Sequence, residues 1–95
     1  MIEKLLKDIA DHYGPQHQLL KLAEEASELS AAAIRFALAR TRDDHAKELN
    51  HLIEELADVL VMARQFAYHY ACEERLQSIG EDKIRRQVRR MEESK

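Results

Sequence analysis

From Pro15 to its last residue the chain holds a single glycine, Gly80, and no second proline, and this scarcity of breakers is what most restricts its fold. Hairpins and sheet edges need turn residues, so a sequence this poor in them is limited to long helices with short connections. Glycine totals 2 and proline 1 while charged residues make up 35% of the chain, a balance that favours amphipathic helices. Ile2, Leu5, Leu6 and Ile9 recur at helical spacing, which predicts a first helix over about residues 2–12. Gly14-Pro15 stops that helix and opens another, since proline suits a first turn whose amides have no partner. The second helix is expected to run to about Arg40. Thr41 to Asp44 is the next turn, and Asp43 or Asp44 is expected to cap a third helix reaching about Cys72. Gly80, followed by Glu81 and Asp82, marks the expected entry into a last helix ending near Met91. The expected architecture is a single all-α domain over residues 1–95, an antiparallel four-helix bundle. At 95 residues such a core buries a modest share of its surface, so completion by oligomerisation is expected as well.

The formal net charge of -3 gives no sign of a nucleic-acid surface, so any polyanionic ligand must be held by a local group of residues. No stretch approaches the ~18 apolar residues that a membrane span requires. The opening residues, MIEKLLKDIADHYGPQ, carry acids where a signal peptide has its apolar core. Cys72 is the only cysteine, which excludes an internal disulfide and fits a reducing compartment. A soluble cytoplasmic protein with no membrane partner is the expectation.

On the second helix, Leu19, Leu22, Ala23, Ala26, Leu29, Ala33 and Ala37 form an apolar arc expected to face the core, with Glu25 on its edge. Glu28 follows three residues later on the same side, and Lys21 precedes Glu25 by one turn. Taken alone this is an ordinary charged face. The third helix alters the reading, because Glu55 and Asp58 lie in LIEELADVLVMA, where apolar side chains cover nearly the whole circumference. A helix apolar all round is expected to be buried, and a mid-helix Asp58 within it to be desolvated and in need of a counter-charge or a metal. The residues three and four before Asp58 are Glu55 and Glu54, which add negative charge instead. Two i, i+3 carboxylate pairs on antiparallel helices would converge as an all-oxygen cluster, suited to Mg²⁺ or Mn²⁺.

The segments EEASE (24–28) and EELAD (54–58) together resemble the paired E-x-x-E and E-x-x-D signature of MazG-like nucleoside triphosphate pyrophosphohydrolases, and the resemblance covers roughly residues 15–70. It implies an all-α enzyme that cleaves between the α and β phosphates of a small-molecule nucleotide, giving a nucleoside monophosphate and pyrophosphate. By residue-wise matching it implies Glu25, Glu28, Glu55 and Asp58 as ligands of Mg²⁺, with Mn²⁺ as a substitute. Glu24 or Glu28 would orient the attacking water, and the family points to a homodimer or homotetramer. Family members also tend to carry basic residues after the second motif. Here Lys83, Arg86 and Arg90 would grip phosphates, against the plainer reading of a solvated helix face opposite Ile84, Val88 and Met91. Lys21 would either contact a phosphate or pair with Glu25. His51, one turn before Glu55, would line the site or stand behind it. No base-recognition element, such as an aromatic residue just beyond the second motif, is evident: Met62 stands one turn after Asp58, and the nucleobase stays open.

Three other readings carry different consequences. A di-iron carboxylate bundle needs two Glu-x-x-His motifs, and Glu48-x-x-His51 is the only one present. A non-catalytic helical interaction module would treat the carboxylates as a solvated face and need no metal. A pyrophosphohydrolase acting on a phosphoribosyl metabolite would share the site and differ in substrate.

Overall fold

The computed structural model describes residues 1–95 as four helices with no strand: α1 Ile2–Tyr13, α2 Pro15–Ala37, α3 Arg42–His69 and α4 Glu73–Glu93. The chain is all-α and bundle-like, as expected, and no helix is long and apolar enough to cross a membrane.

The boundaries follow from local backbone requirements. Gly14 adopts φ 84° and ψ 164°, a conformation open essentially to glycine alone, and the following proline favours that extended ψ. Its amide donates to the Ala10 carbonyl at 2.9 Å to close α1, and its carbonyl accepts from Gln18 at 3.1 Å to open α2. At the next connection α2 stops at Ala37, short of Arg40, because residues 38–41 are needed to reverse the chain. The cap of α3 is Thr41, not Asp43 or Asp44: its backbone is extended, and its hydroxyl accepts from the Asp44 amide at 3.1 Å. The two aspartates instead occupy the first turn, where their charge favours the helix dipole.

α3 ends at His69 rather than at Cys72 because Ala71 turns left-handed, with φ 49°. The Cys72 amide then donates back to the Ala67 carbonyl at 3.1 Å and the Ala71 amide to that of Tyr68 at 3.3 Å, the bond pair of a Schellman motif. This reversal lets α4 begin at Glu73. Gly80 therefore does not open the last helix but lies inside it, where a Cβ would meet nothing within 4 Å.

Contacts between α2 and α3 run in opposite directions along the two helices. Gln18 meets Gln65, Glu25 and Glu28 approach Glu55, Arg35 reaches Glu48 and His51, and the Phe36 ring lies against His45. The inward row on α2 is Gln18, Leu22, Glu25, Leu29, Ala32 and Phe36, and on α3 it is Glu48, Leu52, Glu55, Val59, Met62, Phe66 and His69, with Gln65 and Ala67 buried beside it. Both sets alternate steps of three and four, the spacing of a helix-pair seam. This corrects the expected arc on α2, since Ala23, Ala26, Ala33 and Ala37 are exposed while Glu25 sits in the seam itself. It corrects α3 too, which is not buried all round: Leu60 is 58% exposed, and Asp58 is also exposed.

α1 lies across this hairpin through Leu6 and Ala10, tied down by a hydrogen bond from His69 Nε2 to the Ala10 carbonyl at 2.8 Å. The Tyr68 hydroxyl donates to Asp11 at 2.9 Å, and Arg64 pairs with Glu3. α4 touches α3 alone and buries no residue. The accessible surface is 7757 Å², whereas a folded monomer of 11.1 kDa is expected to expose about 5,700 Å². Much of that excess is apolar, including Leu76, Ile79, Ile84, Val88 and Met91 of α4 and Ile2, Leu5 and Ile9 of α1.

Candidate metal centre

Two seam positions that would ordinarily hold leucine or valine carry Glu25 and Glu55, and the register of the hairpin sets them near one another with Glu28 beside them. One oxygen from each of the three carboxylates lies within 4.8 Å of the others. Glu25 is 8% exposed, Glu55 is partly buried and Glu28 is exposed on the rim. Both Glu25 Oε2 and Glu55 Oε2 are buried without a hydrogen-bond partner.

The electrostatics of the group are those of crowded anions. Burial pushes the Glu25 carboxyl above its ordinary value, the neighbouring Glu28 charge pushes it further, and Asp58 adds to the effect. The hydrogen bond from Lys21 opposes this, with Nζ 3.4 Å from Glu25 and 3.5 Å from Glu24. The same two acids raise the Lys21 pKa, Glu24 contributing most. Lys21 is the only ammonium paired with the cluster, so one positive charge faces three carboxylates.

An orphaned buried carboxylate oxygen costs free energy unless a proton or a cation satisfies it. Two such oxygens, in a donor set made only of carboxylates, match the preference of hard divalent cations for oxygen. The residues present therefore fit a hard divalent cation.

Of the four expected ligands the fold brings Glu25, Glu28 and Glu55 together. Asp58 lies outside that group of three, exposed one turn beyond Glu55, though close enough for its charge to act on Glu25. Glu24 is exposed and turned toward Lys21. Lys83 and Arg86 line a shallow depression of about 290 Å³ together with Ile79, Asp82 and Arg89, and Arg90 is exposed further along the same helix. Because α4 makes no contact with α2, none of these basic residues is brought to the α2 carboxylates within one chain. Met62 is buried in the seam, and Phe66, half-buried, packs at a tilt against Tyr70 with ring centres 4.8 Å apart.

Behind the site, His51 stands one turn before Glu55 as its spacing suggested, and the residues beyond it were not visible in the sequence. His51 Nε2 is 3.1 Å from Glu55 Oε1, His51 Nδ1 is 3.3 Å from Arg35 Nη2, and Arg35 Nε is 3.4 Å from Glu48 Oε2. Arg35 had no motif to mark it, and only the hairpin register reveals it. Comparison with family models, with curated proteins and with solved structures returned no match.

Proposed function

We propose that this chain is a magnesium-dependent pyrophosphohydrolase of the MazG-like kind, cleaving the α-β phosphate bond of a nucleoside triphosphate. The observation that carries the reading is the convergence, in the α2/α3 seam, of acids from both halves of the paired motif with two buried oxygens left unpartnered. Carboxylates placed where apolar residues would stabilise the hairpin call for a function that repays them.

In this reading Glu25, Glu28 and Glu55 hold the ion, with Asp58 at the rim as the fourth acid. When bound, magnesium supplies Lewis acidity, neutralising phosphate charge and lowering the pKa of water. Lys21, kept protonated by Glu24 and Glu25, presents positive charge to an entering phosphate. Glu28 is better placed than Glu24 to orient a water for in-line attack on the α-phosphorus, because Glu24 is occupied with Lys21 while Glu28 stands at the solvent edge of the cluster. Pyrophosphate leaves opposite the entering oxygen. A phosphoribosyl pyrophosphate linkage offers the same anhydride, so such a metabolite is the alternative substrate class.

A second copy of the chain completes the fold in this account. The surface excess of roughly 2,000 Å² exceeds the ~800 Å² that each partner of a standard interface buries. A homodimer or homotetramer would cover the apolar stripe of α4 and could carry Lys83, Arg86 and Arg90 to another chain's carboxylates. The lone half-buried thiol of Cys72 accords with the reducing cytoplasm.

Pyrophosphate release from a panel of ribo- and deoxynucleoside triphosphates, with and without Mg²⁺, tests the reaction. Metal-dependent release that is lost in a folded Asp58→Ala variant is the expected result. Asp58 is exposed, so its removal leaves the fold in place. Release that survives the substitution would remove Asp58 from the site, and no release from any nucleotide or phosphoribosyl pyrophosphate would favour an interaction module.

A further inference from the structure

Behind the proposed metal centre Arg35, which no motif marks, links Glu48 to His51 and so to Glu55. This line crosses from α3 to α2 and back, so the hairpin register that assembles the carboxylates assembles it as well.

The chemistry of its members fixes the proton on His51. A guanidinium can donate but never accept, so Arg35 Nη2, 3.3 Å from His51 Nδ1, requires Nδ1 to be the unprotonated acceptor. The ring proton is then on Nε2, which donates to Glu55 Oε1 at 3.1 Å. Arg35 is itself oriented by donating through Nε to Glu48 Oε2 at 3.4 Å. With Oε1 engaged, the rotation of the Glu55 carboxylate is set, and Oε2 is left buried with no protein partner.

The geometry points to Arg35 and His51 as positioning residues for the metal centre: Arg35 selects the Nε2–H tautomer of His51, and His51 orients Glu55 for a divalent cation. This rests on the metal-centre reading proposed above. It assigns both residues a role through Glu55 rather than on substrate. Outer partners of this kind change metal affinity by about 10- to 100-fold when removed.

The test uses the full chain, with Mn²⁺ alone as the probe. Nitrogen-15 spectra of the imidazoles, recorded metal-free at a pH where they are neutral, give the tautomer of His51; its signals are assigned by their loss in His51→Phe. Mn²⁺ affinity comes from the paramagnetic resonance of the free ion during titration. Both side chains are about half exposed, at 43% for His51 and 47% for Arg35, so the variants retain the fold, which circular dichroism checks.

Wild-type His51 is expected as the Nε2–H form, and Arg35→Met should shift it toward a mixture. His51→Phe should bind Mn²⁺ about 10-fold or more weakly, whereas His51→Gln, whose amide can still donate to Glu55, should stay within about 3-fold of wild type. An Nδ1–H tautomer in the wild type overturns the proposal, as does equal weakening by Phe and Gln, which would indicate a merely structural role. Mn²⁺ bound equally by wild type and His51→Phe overturns this arrangement alone. A wild-type protein that shows the Nε2–H tautomer and binds no Mn²⁺ overturns the metal centre, and this role with it.

Discussion

Replacing Glu55 with glutamine tests whether the seam carboxylates are held together against their own repulsion. The substitution keeps the side chain's shape and leaves an oxygen to accept from His51. What it removes is one negative charge within 4.8 Å of Glu25 and Glu28. At 4.8 Å, two unit charges repel by about 3.5 kcal/mol at an effective dielectric of ~20 and by about 0.9 kcal/mol in water. The larger figure is a ceiling for the seam pair and the smaller one suits exposed Glu28; after attraction to Lys21 and solvent relaxation, a net relief of up to about 1 kcal/mol remains. For a domain of this size each kcal/mol moves the midpoint by about 4–8 °C. Thermal unfolding followed by circular dichroism in EDTA should therefore show Glu55→Gln melting above wild type, by up to about 8 °C. In millimolar Mg²⁺ the order should narrow or reverse, because the wild type gains binding free energy that the variant has lost. A variant less stable than wild type in EDTA would refute the reasoning, since Glu55 would then be a net structural contributor.

The raised pKa of Glu25 gives a pH signature. A carboxyl whose folded pKa lies above its unfolded value of 4.5 binds more protons in the native state, so metal-free stability should fall as pH rises from about 4.5 through the folded value. Urea denaturation across that window should show the decline, Glu25→Gln should flatten it, and an unchanged slope in the variant would assign it to other groups. Ala71→Gly should stabilise the protein by about 0.5–1 kcal/mol, because the left-handed conformation at φ 49° strains alanine and not glycine. Gly80→Ala should add about 0.5–1 kcal/mol wherever α4 is folded, because its Cβ enters open space. Chemical denaturation of the two variants checks both values, and a loss in either contradicts the boundaries given for α4.

How legible the structure was in the sequence depended on how sharply each signal was written. Gly14-Pro15 marked its boundary well because both residues restrict the backbone. Gly80 misled, because a glycine costs a helix only about 1 kcal/mol and can lie within one. The true start of α4 depends on Ala71 turning left-handed, for which an alanine gives no warning. On α2 the apolar arc was drawn through alanines, which fit a core or a surface equally well, and that placed Glu25 at an edge. The three-four seam through Gln18, Leu22, Glu25 and Leu29 is visible only if acids and amides are allowed inward. The burial expected of Asp58 failed for the converse reason: Leu56 and Leu60 beside it are exposed in the single chain, so apolar neighbours did not mean a buried position. The acids themselves were legible because two short motifs at helical spacing fix which residues can meet, and His51 was legible from its place one turn before Glu55 on the same helix, whereas Arg35 joins the site through side-chain reach across the hairpin.

The central claim is that Glu25, Glu28 and Glu55 bind one divalent cation. A crystal grown with Mn²⁺ and measured at the manganese absorption edge tests it directly. Anomalous density among the three carboxylates, with Glu55 still held by His51, is the predicted result. Density elsewhere, or three carboxylates ordered in the seam with no ion between them at saturating Mn²⁺, would contradict the claim.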